Sequence, residues 1–199
     1  VGIWKIENEI EKLNFNNIES EKKLEDIIDK DISILSDELL LIGRQVMTDY
    51  GKYIDLLAMN LEGDLVIIEL KKGKTPREVV AQALDYASWI ETLSYDDIID
   101  IFEEHNQGDN LEKEFYNKFE LNIPETINES HNIIIVASEL DPETERIINY
   151  LSDNYNVPIN ASFFRYFKDS GNEYLTRSWL IDPKVVSDKT NKSKSKTES

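Results

Sequence analysis

Hydrophobic residues change their spacing several times along this chain, and each change predicts a new element. Residues 1–15 hold no sustained period and lead in as a strand or short helix. From about Ile18 to Lys30, Leu24, Ile27 and Ile28 share the spacing of one helix face. Leu39–Met47 reads as a strand broken at Gly43. Lys52–Asn60 and Asp64–Leu70 read as two more strands around the turn Asn60-Leu61-Glu62-Gly63-Asp64. Thr75-Pro76-Arg77-Glu78 matches a capping box with Pro at the first helical position, and predicts a helix to about Leu93. Its core candidates are Val79, Val80, Ala83, Leu84, Ala87 and Ile90. Residues 94–131 read as helical at first and loop-like around Asn122–Asn132. The β-branched run Ile133–Ala137 marks a buried strand. Asp141-Pro142 opens a helix to about Asn154, Ile159–Phe167 is a strand, and a turn at Lys168–Asn172 leads to a last strand, Glu173–Ile181. Pro183 is expected to end the order.

The predicted order is helix, three strands, helix, insertion, strand, helix, strand, strand. That places the chain in the α/β class, with a mixed central sheet flanked by helices. Ile133–Phe167 forms a βαβ unit, whose crossover is expected to be right-handed. The expected organisation is a lead-in at 1–17, one domain at 18–183 with an acidic insertion at about 94–131, and a Lys/Ser-rich tail or linker at 184–199.

Charge refines this picture. The chain of 199 residues carries a net charge of −18, which by itself opposes nucleic-acid binding. The acidity is regional, however. Residues 93–131 hold eleven acids against two lysines, a balance of −9 and half the total. Residues 70–77 carry Lys71, Lys72, Lys74 and Arg77 with no acid. Cysteine is absent, which excludes disulfides, thiolate nucleophiles and Cys-based zinc sites and fits the cytoplasm. With only His105 and His131 besides, a metal site would need oxygen ligands, and so a hard cation such as Mg²⁺, Mn²⁺ or Ca²⁺. No apolar run approaches the roughly 18 residues of a membrane span. Val1 in place of Met points to a truncated or processed start.

The candidate chemistry lies on the two strands around the Asn60–Asp64 turn. Strand side chains alternate faces, so Glu69 and Lys71 point the same way, and a hairpin brings Asp55 beside them. Two carboxylates and an ammonium at the edge of a buried sheet are costly without tight partners or a function. Holding a divalent cation next to a phosphodiester is one such function. On the following helix Gln82 and Tyr86 stand at i and i+4, as do Glu21 and Glu25 on the first helix. An isolated Glu-x-Lys at a strand end is ordinarily a surface ion pair; it is the combination that points to a site.

These residues resemble the PD-(D/E)XK nuclease superfamily, whose core is αβββαβ. Gln82-x-x-x-Tyr86 resembles the additional motif of its RecB-like branch. The stretch Ser20–Leu93 is most similar to NucS-type endonucleases, through Ser20-Glu21, Gly43-Arg44, Gly51–Asp55, Val66–Lys71 and Gln82–Tyr86. The resemblance implies a restriction-endonuclease-like fold and an Mg²⁺- or Mn²⁺-dependent phosphodiesterase, a DNA endonuclease of repair or defence, with RNA not excluded. It implies that Asp55 and Glu69 ligate the cation with the Leu70 carbonyl, and that Glu21 joins from the first helix with Glu25 as rival. Lys71 would orient the attacking water, and Gln82 and Tyr86 would position the other groups. Arg44, Lys72, Lys74 and Arg77 are the candidate nucleic-acid contacts, with carboxylate pairing an equal alternative for Arg44. Ile54 stands where the family often has Pro, and the chain offers only about twenty residues where NucS proteins have an N-terminal DNA-binding domain. Partner expectations are DNA, a homodimer and a further C-terminal domain, with no membrane. The alternative is a non-catalytic nucleic-acid-binding or regulatory interaction module on the same fold.

Overall fold

The computed structural model describes residues 2–184 and 186. Trp4–Ile6 (β1) and Ile10–Lys12 (β2) form a small hairpin of their own, and Phe15–Asn16 (β3) joins the main sheet. The chain continues through Glu21–Lys30 (α1), a 3₁₀ turn at Ile32–Ile34, Leu39–Met47 (β4), Tyr53–Asn60 (β5), Leu65–Thr75 (β6) and Glu78–Ile90 (α2). Tyr95–His105 (α3) and Leu111–Phe119 (α4) make up the insertion. His131–Leu140 (β7), Pro142–Tyr155 (α5), Ile159–Asp169 (β8) and Asn172–Trp179 (β9) complete the fold. From α1 to β7 this is the αβββαβ core of restriction-endonuclease-like proteins, with α3 and α4 inserted before β7.

The main sheet runs in the order β3-β8-β7-β6-β5-β4, with β9 also paired to β8. β4, β5 and β6 form an antiparallel meander. β6, β7 and β8 are parallel, and β9 returns antiparallel. The sheet is therefore mixed. It is buried on both faces, which is why β5, β6 and β7 read as nearly continuous apolar runs. Leu56, Ala58, Val66, Ile68 and Leu70 face a core closed by Leu24 and Ile28 of α1. Leu57, Met59, Leu65 and Ile67 face a larger core closed by α2, α3, α4 and α5. Each fully buried Leu or Ile contributes about 1.5–3 kcal/mol.

Local signals explain most boundaries. The Ser20 side chain caps α1 by accepting from the Lys23 amide at 3.0 Å. Asp141 caps α5 in the same way, with Pro142 in the first turn. The interruption at Gly43 is a β-bulge within a continuous strand. A Cβ there would meet Val46 Cγ2 at 2.6 Å and Ile101 Cγ2 at 2.9 Å, so the glycine allows α3 to lie close on β4.

Four expectations are corrected. Thr75–Glu78 forms no capping box: Arg77 takes the cap position without a side-chain hydrogen bond, and the helix ends at Ile90. Thr75 instead extends β6 opposite Leu140, and its carbonyl accepts from the Thr144 hydroxyl at 3.1 Å. Leu84 is exposed, because it lines up with Ala81, Asp85 and Ser88 on the solvent face of α2. β7 is ten residues long, twice the span of its β-branched run. Pro183 does not end the order, since residues 183 and 184 are helical and Val186 is buried. The rest of the Lys/Ser-rich segment lies outside the described residues. Among the described residues no helix is long and apolar enough to cross a membrane.

Candidate active site

The β5–β6 ladder ends at the pair Leu56–Ile68. Beyond it, β5 stays with β4 down to Tyr53–Met47, while β6 stays with β7 as far as Thr75–Leu140. The sheet forks at this point, and Asp55 and Glu69 stand in the fork. Backbone groups released from a ladder need new partners. Asp55 supplies one: its Oδ2 accepts from the Leu70 amide at 2.8 Å. Its Oδ1 accepts from the Gln45 side chain at 3.2 Å.

Glu69 is fully buried, at 0% exposure. Its Oε2 accepts from Lys71 Nζ at 3.3 Å, and its Oε1 has no hydrogen-bond partner. Burial and the neighbouring Asp55 charge push the Glu69 carboxyl up to about 7. Burial likewise raises the Asp55 carboxyl. For Lys71, burial works against the ammonium, but Glu69 and Asp55 outweigh it and its pKa is raised. Lys71 therefore remains charged beside two carboxylates. After it, β6 bulges at Gly73, whose φ of 82° suits glycine, so the strand turns away just past the site.

The helices close the fork from both sides. On α2, Gln82 Nε2 donates to the Tyr86 hydroxyl at 2.8 Å, one helical turn apart. Burial raises the Tyr86 pKa, and the charges of Glu69 and Asp55 act in the same direction. On α1, Glu21 Oε1 accepts from the Lys72 amide at 2.9 Å. Glu25 lies closer to the β4 side, where its Oε1 accepts from Arg44 Nε at 2.6 Å and from Gln45 at 3.1 Å. The two first-helix acids thus flank the fork on different sides.

The candidate nucleic-acid contacts fall differently. Arg44 is a clamp: its guanidinium binds Glu25, Asp26 and Asp29, all on α1. Lys72 Nζ donates to the Glu19 carbonyl at 2.7 Å. Arg77 is exposed near Glu78 and Glu143. The side chain of Lys74 lies outside the described residues. Sequence reading missed Gln45, whose only linear signal is its place beside Arg44.

The donor set suits a hard cation. It holds two carboxylates, Asp55 and Glu69, and the unpartnered Glu69 Oε1 is a buried acceptor with nothing to accept from. Among the described residues, no group of three or more His, Asp or Glu is placed to hold a metal ion. A cation such as Mg²⁺ is commonly held by only one or two carboxylates with waters and substrate phosphates. Asp55 and Glu69 are the residues that would hold it.

No protein-family model matches the chain, and no curated protein matches it. Among solved structures, it is similar to a repair endonuclease from Pyrococcus abyssi, at 17% identity and a TM-score of 0.44 over 74% of this chain and 48% of that one. It is similar to EndoMS in a complex with double-stranded DNA, at 15% identity and 0.44 over 79% and 48%. It is also similar to EndoMS in the apo form, at 13% identity and 0.42 over 80% and 62%. The chain thus spans about half the length of the first two.

Proposed function

We propose that this chain is a metal-dependent nuclease of the PD-(D/E)XK type, related to the RecB-like and NucS-type enzymes, that hydrolyses phosphodiester bonds in DNA. One observation carries the reading: a fully buried carboxylate, Glu69, keeps one oxygen without a partner while Asp55 and Lys71 converge on it. A purely structural acid in that position would be expected to have both oxygens satisfied.

The residues divide the work by chemistry. Asp55 and Glu69 would hold Mg²⁺ or Mn²⁺, with the Leu70 carbonyl as a further oxygen. A bound cation supplies charge neutralisation at the scissile phosphate and makes water more acidic. Lys71 keeps an ammonium at the mouth of the fork, where it donates to the attacking water and offsets phosphate charge. Gln82 fixes the Tyr86 hydroxyl, which points a second donor at the same region. Glu21, anchored on the Lys72 amide, is the nearer first-helix acid to Lys71, whose pKa it helps to raise. The attacking water gives its proton to solvent, the leaving alkoxide takes one from solvent, and no covalent enzyme intermediate is required.

The test is a cleavage assay with Mn²⁺ or Mg²⁺ on single-stranded, duplex, flap and mismatched DNA, and on RNA. At least one DNA form should be cut, EDTA should stop the cutting, and Asp55→Ala and Lys71→Ala should slow it severely. Cleavage of none of them would leave the binding-module alternative standing. Equal cutting by the variants would sink the site assignment.

A further inference from the structure

Gln45 has a backbone that its position in a strand does not explain. It lies inside β4 with φ 49°, in the left-handed region. For a residue other than glycine this conformation costs about 1–2 kcal/mol, and it persists only where the surroundings impose it. Its flanking pairs, Arg44–Leu56 and Val46–Ile54, put it opposite Asp55.

The twist has a consequence for direction. In a regular strand, neighbouring side chains point to opposite faces. Here Arg44 and Gln45, adjacent in sequence, donate to the same oxygen, Glu25 Oε1, at 2.6 and 3.1 Å. The left-handed turn lets Gln45 reach that oxygen, and the same amide nitrogen then donates to Asp55 Oδ1 at 3.2 Å. The fold does not depend on this contact for anchoring. Glu25 already has Arg44, and Asp55 already has the Leu70 amide on its other oxygen. Glycine would take the same φ without strain. What Gln45 adds is a second fixed point on Asp55, so that the carboxylate is held at both oxygens and cannot rotate.

We propose that Gln45 is a positioning residue of the metal site: its strained backbone aims an amide that locks the Asp55 carboxylate and ties it to Glu25 on α1. The proposal rests on the nuclease reading, and within it assigns the orientation of the first carboxylate to β4. Carboxylates that bind metals are commonly oriented by such outer hydrogen bonds, and losing one weakens metal binding about 10–100-fold.

The experiment compares the native chain with Gln45→Gly by calorimetric titration with Mn²⁺ alone, alongside thermal unfolding in EDTA. Gln45→Gly should unfold at or above the native temperature, because strain is relieved. Its Mn²⁺ dissociation constant should nevertheless rise about 10–100-fold. A purely structural role for Gln45 would instead lower the unfolding temperature and leave the affinity unchanged. If the native chain binds Mn²⁺ and Gln45→Gly binds it equally tightly, the proposal fails and the nuclease reading stands. If the native chain binds no Mn²⁺, the nuclease reading fails and takes the proposal with it. Should Gln45→Gly not fold, Gln45→Asn replaces it with the same two outcomes, since Asn tolerates the left-handed region but its amide is one methylene shorter.

Discussion

The two ends of the β5–β6 hairpin treat buried carboxylates in opposite ways. At the closed end, Asp64 is 3% exposed and its Oδ1 accepts from the Ser130 amide at 2.9 Å. Beside it, the Asn60 side chain accepts from the amides of Glu62 and Asp64, so the turn is pinned from within. At the open end, Glu69 is just as buried, yet one oxygen has no partner and the carboxyl is pushed up to about 7. The same two strands thus carry a satisfied acid at one end and an unsatisfied one at the other. The closed end satisfies its buried acid, while the open end leaves the cost of burying one uncompensated.

Removing the charged groups should break the two ends apart. The largest effect is expected from Lys71→Ala. Its DNA cleavage rate under single-turnover conditions should fall about a thousandfold, on the order of 4 kcal/mol in the barrier. Next comes Glu69→Gln, which should stabilise the metal-free protein. The Glu69 pKa is raised on folding, so its contribution to stability is fully present below the ordinary value of 4.5 and lost as pH rises through about 7. Asp55, also raised, acts with the same sign. Lys71 keeps its contribution throughout this window and loses it only at alkaline pH. Denaturant unfolding in EDTA between about pH 4 and 8, which spans the transition from 4.5 to about 7, should therefore show native stability falling with pH. In Glu69→Gln the fall should be smaller, by up to about 3 kcal/mol at the alkaline end. A parallel pH dependence in the two proteins would remove the contrast.

At the closed end, Asp64→Ala should cost about 1–3 kcal/mol by stranding the Ser130 amide. It should leave Mn²⁺ affinity and cleavage unchanged; a matching loss of activity would show that the ends are not separable. The smallest effect is expected from Tyr86→Phe, which removes one donor and frees the Gln82 amide. Cleavage should drop about tenfold, with stability changed by about 1 kcal/mol or less.

Much of the fork was legible in the sequence because it depends on strand periodicity. Alternation put Glu69 and Lys71 on one side, and the structure gives them a 3.3 Å contact. Helical spacing likewise paired Gln82 with Tyr86. What escaped depends on tertiary partners. Thr75 looked like a helix cap, but Leu140 and Thr144 draw it into the sheet. The β1–β2 hairpin has three-residue strands and mostly exposed side chains, so it leaves no hydrophobic period to read. Gln45 owes its role to the sign of one dihedral angle, which is imposed by β5 and α1 together. Arg44 could be read from sequence as a phosphate contact or an ion pair. Three acids on α1 decide its present partners, and their placement needed the packed helix.

The most direct measurement is calorimetric titration of Mn²⁺ into the native chain and into Glu69→Gln, repeated at pH 6.5 in two buffers of different ionisation heat, below the point where Glu69 is fully ionised. An acid pushed up to about 7 is largely protonated there, and a cation that takes its place must expel the proton. The native chain should bind Mn²⁺ with a buffer-dependent heat that reports proton release, and Glu69→Gln should lose both the binding and the buffer dependence. Binding of equal strength in the two proteins, or no Mn²⁺ heat in the native chain, would contradict a metal site at the open end of the hairpin.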